Sequence, residues 1–302
     1  MKEIGYLVKR NSLLFLRERS AVFFSLLSML IVLALMVIFL GRMNRQALVD
    51  LLSEWGGERD RAADERNAAY LIQLWTLAGI LVVNAVTVTL TVTGIMVQDE
   101  TEKRLAAFYV TPVSRLKLSL GYILSAWLVG TGMCLLTLAA GEGYFALRGY
   151  GLLKAGSVLK LGGMIALNTF VFATIAYLFA LSVHNSSAWS GLLTIVGTLV
   201  GFVGGIYLPM DSLSAPVQSV LKCLPVLHGA SMMREVCTQE AIVEAFAGMP
   251  QGAGEIFREA MGISVMAGEH KFSLGEQVLI LLIYAIIAIV AGAALSRRRK
   301  LR

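Results

Sequence analysis

Charge is what this sequence has least of. Only 15% of its 302 residues are Asp, Glu, Lys or Arg, and 57% are hydrophobic; soluble domains run nearer 25% charged. A soluble globule of this size cannot cover its surface with so few charges. That excludes a soluble enzyme or nucleic-acid-binding domain and leaves a polytopic membrane protein, in keeping with a mean hydropathy of +0.73. The net charge of +6 then reports topology rather than a nucleic-acid partner. Three cysteines and three histidines leave little room for a disulfide framework or a metal cluster.

Catalytic and ion-coupling chemistry is also missing. No GxxxxGK[ST] loop and no HExxH pair occurs, so the chain cannot hold ATP by a Walker loop. Gly229-Ala230-Ser231 does not continue into a GxSxG nucleophile turn. No Asp, Glu, Lys or Arg lies within the core of any apolar run. Ion-coupled transporters use such groups, at roughly 2.5–3.5 kcal/mol each. Glu142, at the outer end of the third run, is the nearest candidate and reads as an interfacial charge.

What is there is long apolar runs. A bilayer core of about 30 Å takes roughly 20 residues of helix, and six runs qualify: about 21–40, 71–97, 118–140, 161–183, 190–208 and 277–295. The first is too long for a signal-peptide core and has no small-residue cleavage site after it, so it reads as a retained helix. Within the second, Val86-Thr87-Val88-Thr89-Leu90-Thr91-Val92-Thr93 alternates like a strand. An isolated strand in lipid leaves its backbone unpaired, so a helix is expected, with the threonine hydroxyls bonding one turn back. Six spans put both termini on one side. That side carries fourteen Lys and Arg in about fifty residues, the other twelve in about 115. The positive-inside rule makes the first side cytoplasmic.

Residues 1–20 are expected to form a cytoplasmic amphipathic helix lying on the membrane, with Ile4, Leu7, Val8, Leu14 and Phe15 on one face. Segment 98–117 has a charged half, then an apolar half, and Thr111-Pro112 breaks any helix between them. Its Leu105, Phe108 and Tyr109 either pack on the inner ends of the spans or insert into a partner. Gly197, Gly201 and Gly205 recur every four residues, a face that lets two backbones approach, within the chain or in a dimer. Between the fifth and sixth spans, Leu213, Val217, Val220, Leu221 and Leu224 form an apolar stripe too short to span, expected as a re-entrant or interfacial helical hairpin. Residues 248–270 are Gly-rich and expected to be a solvent-exposed excursion. Cys223 and Cys237 are open to pairing or to remaining free thiols. The fold class is thus all-α: six transmembrane helices, an N-terminal interfacial helix, and a re-entrant segment within a single transmembrane domain over 21–302.

Two stretches resemble a known family. Asp99-Glu100-Thr101-Glu102 through Val110-Thr111-Pro112-Val113-Ser114-Arg115 is similar to the acidic coupling helix and following "TPVSR" of ABC type-2 exporter permeases; the family often has Gly-Thr where this chain has Lys103-Arg104. Gly204-Gly205-Ile206-Tyr207-Leu208-Pro209 with Leu213, then Leu224-Pro225-Val226-Leu227-His228 and Arg234, resembles that family's outer segment. The resemblance runs over essentially the whole chain. It implies a multi-pass cell-membrane half-transporter with no catalytic residues, ATP and Mg being held by a separate cytoplasmic ATP-binding subunit. Asp99, Glu100, Glu102, Arg104, Phe108, Thr111, Pro112 and Arg115 would couple to that subunit. A second permease chain, identical or not, would pair across Gly197, Gly201 and Gly205. Pro209, Leu213, Pro225, His228 and Arg234 would belong to the outer re-entrant segment.

Asn84, Thr87, Thr91, Asn168 and Thr169 offer a sparsely polar lining for an amphipathic drug, peptide or lipid-like cargo, and suit plain helix packing as well. An ion-coupled transporter or channel, a non-transporting scaffold, and a polysaccharide exporter of the same family are the alternatives.

Overall fold

The structure is a computed structural model that describes residues 2–35, 41–55, 60–105, 113–205 and 209–298. Eleven α-helices occur among them: α1 (Lys2–Arg17), α2 (Arg19–Leu35), α3 (Gly41–Trp55), α4 (Arg61–Thr101), α5 (Arg115–Leu147), α6 (Ala155–Ala180), α7 (Ser186–Val203), α8 (Ala215–Lys222), α9 (Pro225–Ala245), α10 (Ala253–Ala260) and α11 (Leu274–Arg298). A two-residue hairpin pairs β1 (Met266–Ala267) antiparallel with β2 (His270–Lys271). Five helices, α4, α5, α6, α7 and α11, are long and apolar enough to cross a membrane. α4, α5 and α11 contain the second, third and sixth expected spans, whereas α6 and α7 begin before the fourth and fifth and end short of them, at Ala180 and Val203. In the first expected span α2 is described over 17 residues; 36–40 lie outside the described residues, as do 206–208 of the fifth.

Helix α4 is the axis. Its 41 residues rise about 60 Å at 1.5 Å each, and α1, α2, α3, α5, α6, α7 and α9 all pack on it. The Val-Thr alternation is helical, for the reason its setting suggested. Thr87, Thr89, Thr91 and Thr93 donate to the carbonyls of Val83, Ala85, Thr87 and Thr89, at 2.6–2.9 Å. Each hydroxyl is thereby satisfied without leaving the helix.

Close approach to this axis is set by glycines the spacing argument did not single out. A Cβ at Gly130 of α5 would lie 2.9 Å from Thr89 Cγ2, one at Gly141 would lie 2.7 Å from Leu77 Cδ1, and one at Gly121 would lie 2.7 Å from Leu7 Cβ on α1. Expected glycine faces fare differently. Gly197 on α7 meets nothing within 4 Å. Gly205 is not on a helix face at all: it follows the C-cap Gly204 at φ 59, the left-handed turn that ends a helix and that glycine takes most readily.

The segment between α7 and α11 departs most from expectation. The short apolar stripe forms α8 after a 3₁₀ turn at Met210–Ser212. The dominant element is α9, which starts with Pro225 in its first turn and buries fifteen of its 21 residues, mainly against α4. A helix covered on most sides is a core element rather than an interfacial one. Residues 248–270 are not simply a solvent excursion: Ala253, Phe257, Met261, Ile263 and Val265 are buried. Helix α3, unforeseen in the segment before the second expected span, buries Leu48, Val49 and Leu52. Cys223 is exposed, Cys237 buried, and both are free thiols.

The glycine contacts are testable on one helix. Gly130→Ala should lower the thermal midpoint of the purified protein, costing roughly 1–3 kcal/mol through overpacking. Gly132→Ala, where a Cβ meets nothing within 4 Å, should be neutral or slightly stabilising, since alanine is the better helix former.

Candidate functional site

Three places concentrate chemistry: the Thr101 end of α4, the stretch around Trp75, and a groove between them.

At the Thr101 end, Asp99 is buried to 1% exposure. Arg10 of α1 donates to both its oxygens, Nη1 to Oδ2 and Nη2 to Oδ1, each at 2.7 Å. Tyr122 of α5 donates its hydroxyl to Oδ2 at 2.7 Å, and Arg104 Nη1 stands 3.9 Å from Oδ1. The carboxylate raises the Arg10 guanidinium above its ordinary range through this hydrogen bonding. One buried charge thus ties α1 to α4 and α5. Leu7 against Gly121 and Glu3 with Lys117 at 2.6 Å complete the seam.

The neighbouring charges face outward. Glu100 meets His184 Nδ1 at 3.1 Å, Glu102 contacts Arg104 and accepts from Gln98 at 2.9 Å, and Arg115 donates to the Ser296 carbonyl at 3.0 Å. The side chains of Glu102 and Arg104 keep 38% and 51% exposure. So of the residues expected to couple, Asp99 is internal, while Glu100, Glu102, Arg104 and Arg115 share a surface. Phe108, Thr111 and Pro112 lie outside the described residues. Lys103 adopts φ 59, a left-handed conformation that costs a non-glycine residue roughly 1–2 kcal/mol. It stands where the resembled family often carries glycine.

About 36 Å along α4 from Asp99, Trp75 lies within the helix, fourteen residues from its Arg61 start. Arg234 of α9 lies over its ring, 4.3 Å from the centroid, and is fully buried. Arg234 Nη2 donates to the Gly205 carbonyl at 2.8 Å, and Nη1 to the Met261 and Gly262 carbonyls at 3.4 and 3.3 Å. Trp75 Nε1 donates to the same Met261 carbonyl at 2.8 Å. Among the described residues no carboxylate pairs with Arg234 and its Nε has no partner. Burial lowers the guanidinium to about 9, so it is charged at neutral pH. Helix-end carbonyls and the ring face supply the missing negative charge. The other residues expected in the outer segment are spread out: His228 Nε2 meets the Lys222 carbonyl at 2.9 Å, Pro225 opens α9, Pro209 precedes the 3₁₀ turn and Leu213 follows it.

The groove has a volume of about 490 Å³ and runs among α4, α6, α7, α11 and the start of α9. Val86, Leu90, Phe172, Phe179, Val196, Leu199, Val203, Pro225 and Ile287 line it. Its one polar side chain, Tyr284, turns its hydroxyl to the Cys223 carbonyl. The expected sparsely polar path is a different set of residues. Asn84 Nδ2 donates to Thr137 Oγ1 at 2.8 Å. Asn168 is buried against Gly229, its Nδ2 on the Met164 carbonyl at 2.9 Å. Thr87 and Thr91 bond their own helix. Of these, Asn84 bridges two helices while Thr87, Thr91 and Asn168 bond within their own; the lining of this groove is apolar. Val196, Leu199, Val200 and Val203 recur at helical spacing, but such a stripe reads the same whether it faces lipid or a groove.

A family model described as ABC-2 family transporter protein matches residues 59–294, which takes in α4 to α11 up to its last turn. A comparison with curated proteins finds no match.

Two substitutions probe the Thr101 end. Asp99→Ala strands Arg10 half-buried and should cost about 3–5 kcal/mol, read as a lower thermal midpoint and faster proteolysis within residues 2–17. Lys103→Gly should raise stability by about 1 kcal/mol by relieving the left-handed turn.

Proposed function

Since the chain belongs to the ABC-2 transporter family and has the permease role and multi-pass helical build of that family, we propose that it is the transmembrane subunit of an ATP-driven exporter. It moves an amphipathic drug, peptide or lipid-like substrate from the cytoplasm or inner leaflet outward. A separate cytoplasmic ATP-binding subunit holds ATP and Mg and docks where Glu100, Glu102, Arg104 and Arg115 share a surface. Two permease chains form the transporter. α2 completes six spans, both termini are cytoplasmic, and the segment that holds Pro209, Leu213, Pro225, His228 and Arg234 re-enters the membrane from outside.

The observation that carries this reading is the conjunction of two features on one bundle. An apolar groove opens among membrane-length helices, and the end of its axial helix presents partly exposed charges of both signs. Apolar lining selects the greasy part of an amphiphile by area rather than by hydrogen bonds. Exposed mixed charges suit a soluble partner, with rim charges setting orientation and encounter rate. α1 is locked to this end through Asp99, so a displacement imposed there reaches α4 and α5 together.

Purification of the chain from its host in mild detergent should bring down a soluble protein with a Walker loop, and the complex should hydrolyse ATP in a vanadate-sensitive way. Glu100→Lys combined with Glu102→Lys should weaken recovery of that subunit about tenfold or more by like-charge opposition, while the permease itself stays folded. A chain that purifies alone and still moves solute in liposomes would overturn the reading in favour of an ion-coupled one.

A further inference from the structure

Helix α7 is held in an unusual way for a membrane-length helix. At its Ser186 end, Trp189 is buried with its ring against Gly94 of α4, and Ser186 Oγ donates to Thr101 Oγ1 at 3.4 Å. Along its middle, Gly191 and Gly197 meet nothing within 4 Å, while Ile195, Leu199 and Phe202 are exposed. At its far end the Gly205 carbonyl receives the 2.8 Å hydrogen bond from Arg234. Between these two attachments α7 forms one wall of the apolar groove.

We propose that Arg234 is a positioning residue that pins the Gly205 end of α7 and so sets whether the apolar groove beneath α7 is covered. The argument is one of reach and charge. The guanidinium is planar and forked, so one nitrogen serves Gly205 while the other serves Met261 and Gly262, and the plane stacks on Trp75. Lysine has a single point of attachment and cannot do all three. A helix C-terminus concentrates carbonyl dipoles, which is where a cation binds best. Besides this bond, the end of α7 is held by apolar packing at Val200 and Gly201. With the pin gone, the buried Gly205 and Gly262 carbonyls lose the donor that Arg234 supplies and gain by moving towards water, while the Met261 carbonyl keeps the Trp75 indole. The helix remains anchored at Trp189, and Gly204-Gly205 supplies the backbone freedom for its far end to swing. What the swing does for transport rests on the permease reading; the pin itself does not.

The test uses the full chain, purified and placed in lipid nanodiscs without any ATP-binding subunit, so its outcome is independent of the energy source. In a Cys223→Ser background, spin labels attached through Leu147→Cys and Phe202→Cys, both exposed, report the position of the α7 end by electron-electron double resonance. Labels through Leu147→Cys and Leu279→Cys report the rest of the bundle. With Arg234 present the first pair should give one dominant distance. Arg234→Met should produce a second, displaced population, raised about tenfold relative to the first as expected for loss of a charge-assisted hydrogen bond. Arg234→Lys should give a smaller rise, and the control pair should not change. An unchanged first pair in both variants overturns the proposal. So does a control pair that broadens in step, because Arg234 would then be a general core residue. If Arg234→Met fails to fold, Arg234→Lys carries the same comparison.

Discussion

The structure depends on keeping nearly every polar side chain of α4 satisfied while other helices surround it, with Gln73 Oε1 the buried acceptor left without a partner among the described residues. A helix packed on nearly all sides, in a setting without water, must meet its hydrogen-bond needs within itself or from its neighbours. α4 does so in three ways. Its threonines bond their own carbonyls one turn back. Its Asn84 meets Thr137 across the α5 seam. Its Trp75 and Asp99 are matched by specific donors and acceptors from other elements. Glycines of α5 then bring the neighbouring backbone close enough for dispersion to act. The groove is left on the α4 stripe of Val86 and Leu90, which carries no polar side chain to be satisfied.

The two buried charges solve the same problem in opposite ways. Asp99 is compensated by a full counter-charge in bidentate geometry plus a phenol hydroxyl, the strongest arrangement a carboxylate can find. Breaking it would leave a charge stranded, so it behaves as a rigid joint. Arg234 has no carboxylate, only carbonyls, two of them at 3.3 and 3.4 Å, and a ring face. A desolvated cation held by dipoles is less fully compensated than one held by an ion. The bundle thus has a stiff end, where an ATP-binding partner is proposed to dock, and a more releasable end near the segment proposed to lie outside. A single unbroken helix joins them. A rod fixed firmly at one end and lightly at the other suits a protein that must carry a displacement through the membrane.

The fold class was legible because it rests on composition and length. Residues 71–97, 118–140, 161–183 and 277–295 read as spans since a long run without charge has few other uses; the helices found there extend three of those runs at both ends and 161–183 at its start only, ending at Ala180. The threonine alternation was resolved correctly because backbone pairing outranks local pattern in lipid. α9 was not legible. Its composition is mixed, with Arg234, Glu235, Glu240 and Glu244 along 21 residues, and its burial comes from partners distant in sequence. The same limit explains the glycines. Spacing drew attention to Gly197, Gly201 and Gly205 and not to Gly121, Gly130 and Gly141, where neighbouring side chains stand against a would-be Cβ, because a close approach within the chain needs a facing surface and spacing describes only one side.

Composition and the position of its few charges therefore determined that this chain is an all-helical membrane protein, and roughly where its long helices run, because hydrophobic transfer is counted residue by residue and needs no knowledge of neighbours. The motif stretches at 99–115 and 204–234 pointed to the family in the same local way. Only the tertiary structure decided that Asp99 faces inward to Arg10 while Glu100 and Glu102 face outward, that Arg234 closes on Trp75 and the end of α7, and that an apolar groove opens on the Val86–Leu90 stripe. These are pairings between residues far apart in the chain, and which partner a charge or a gap finds is settled by packing, which no stretch of sequence contains.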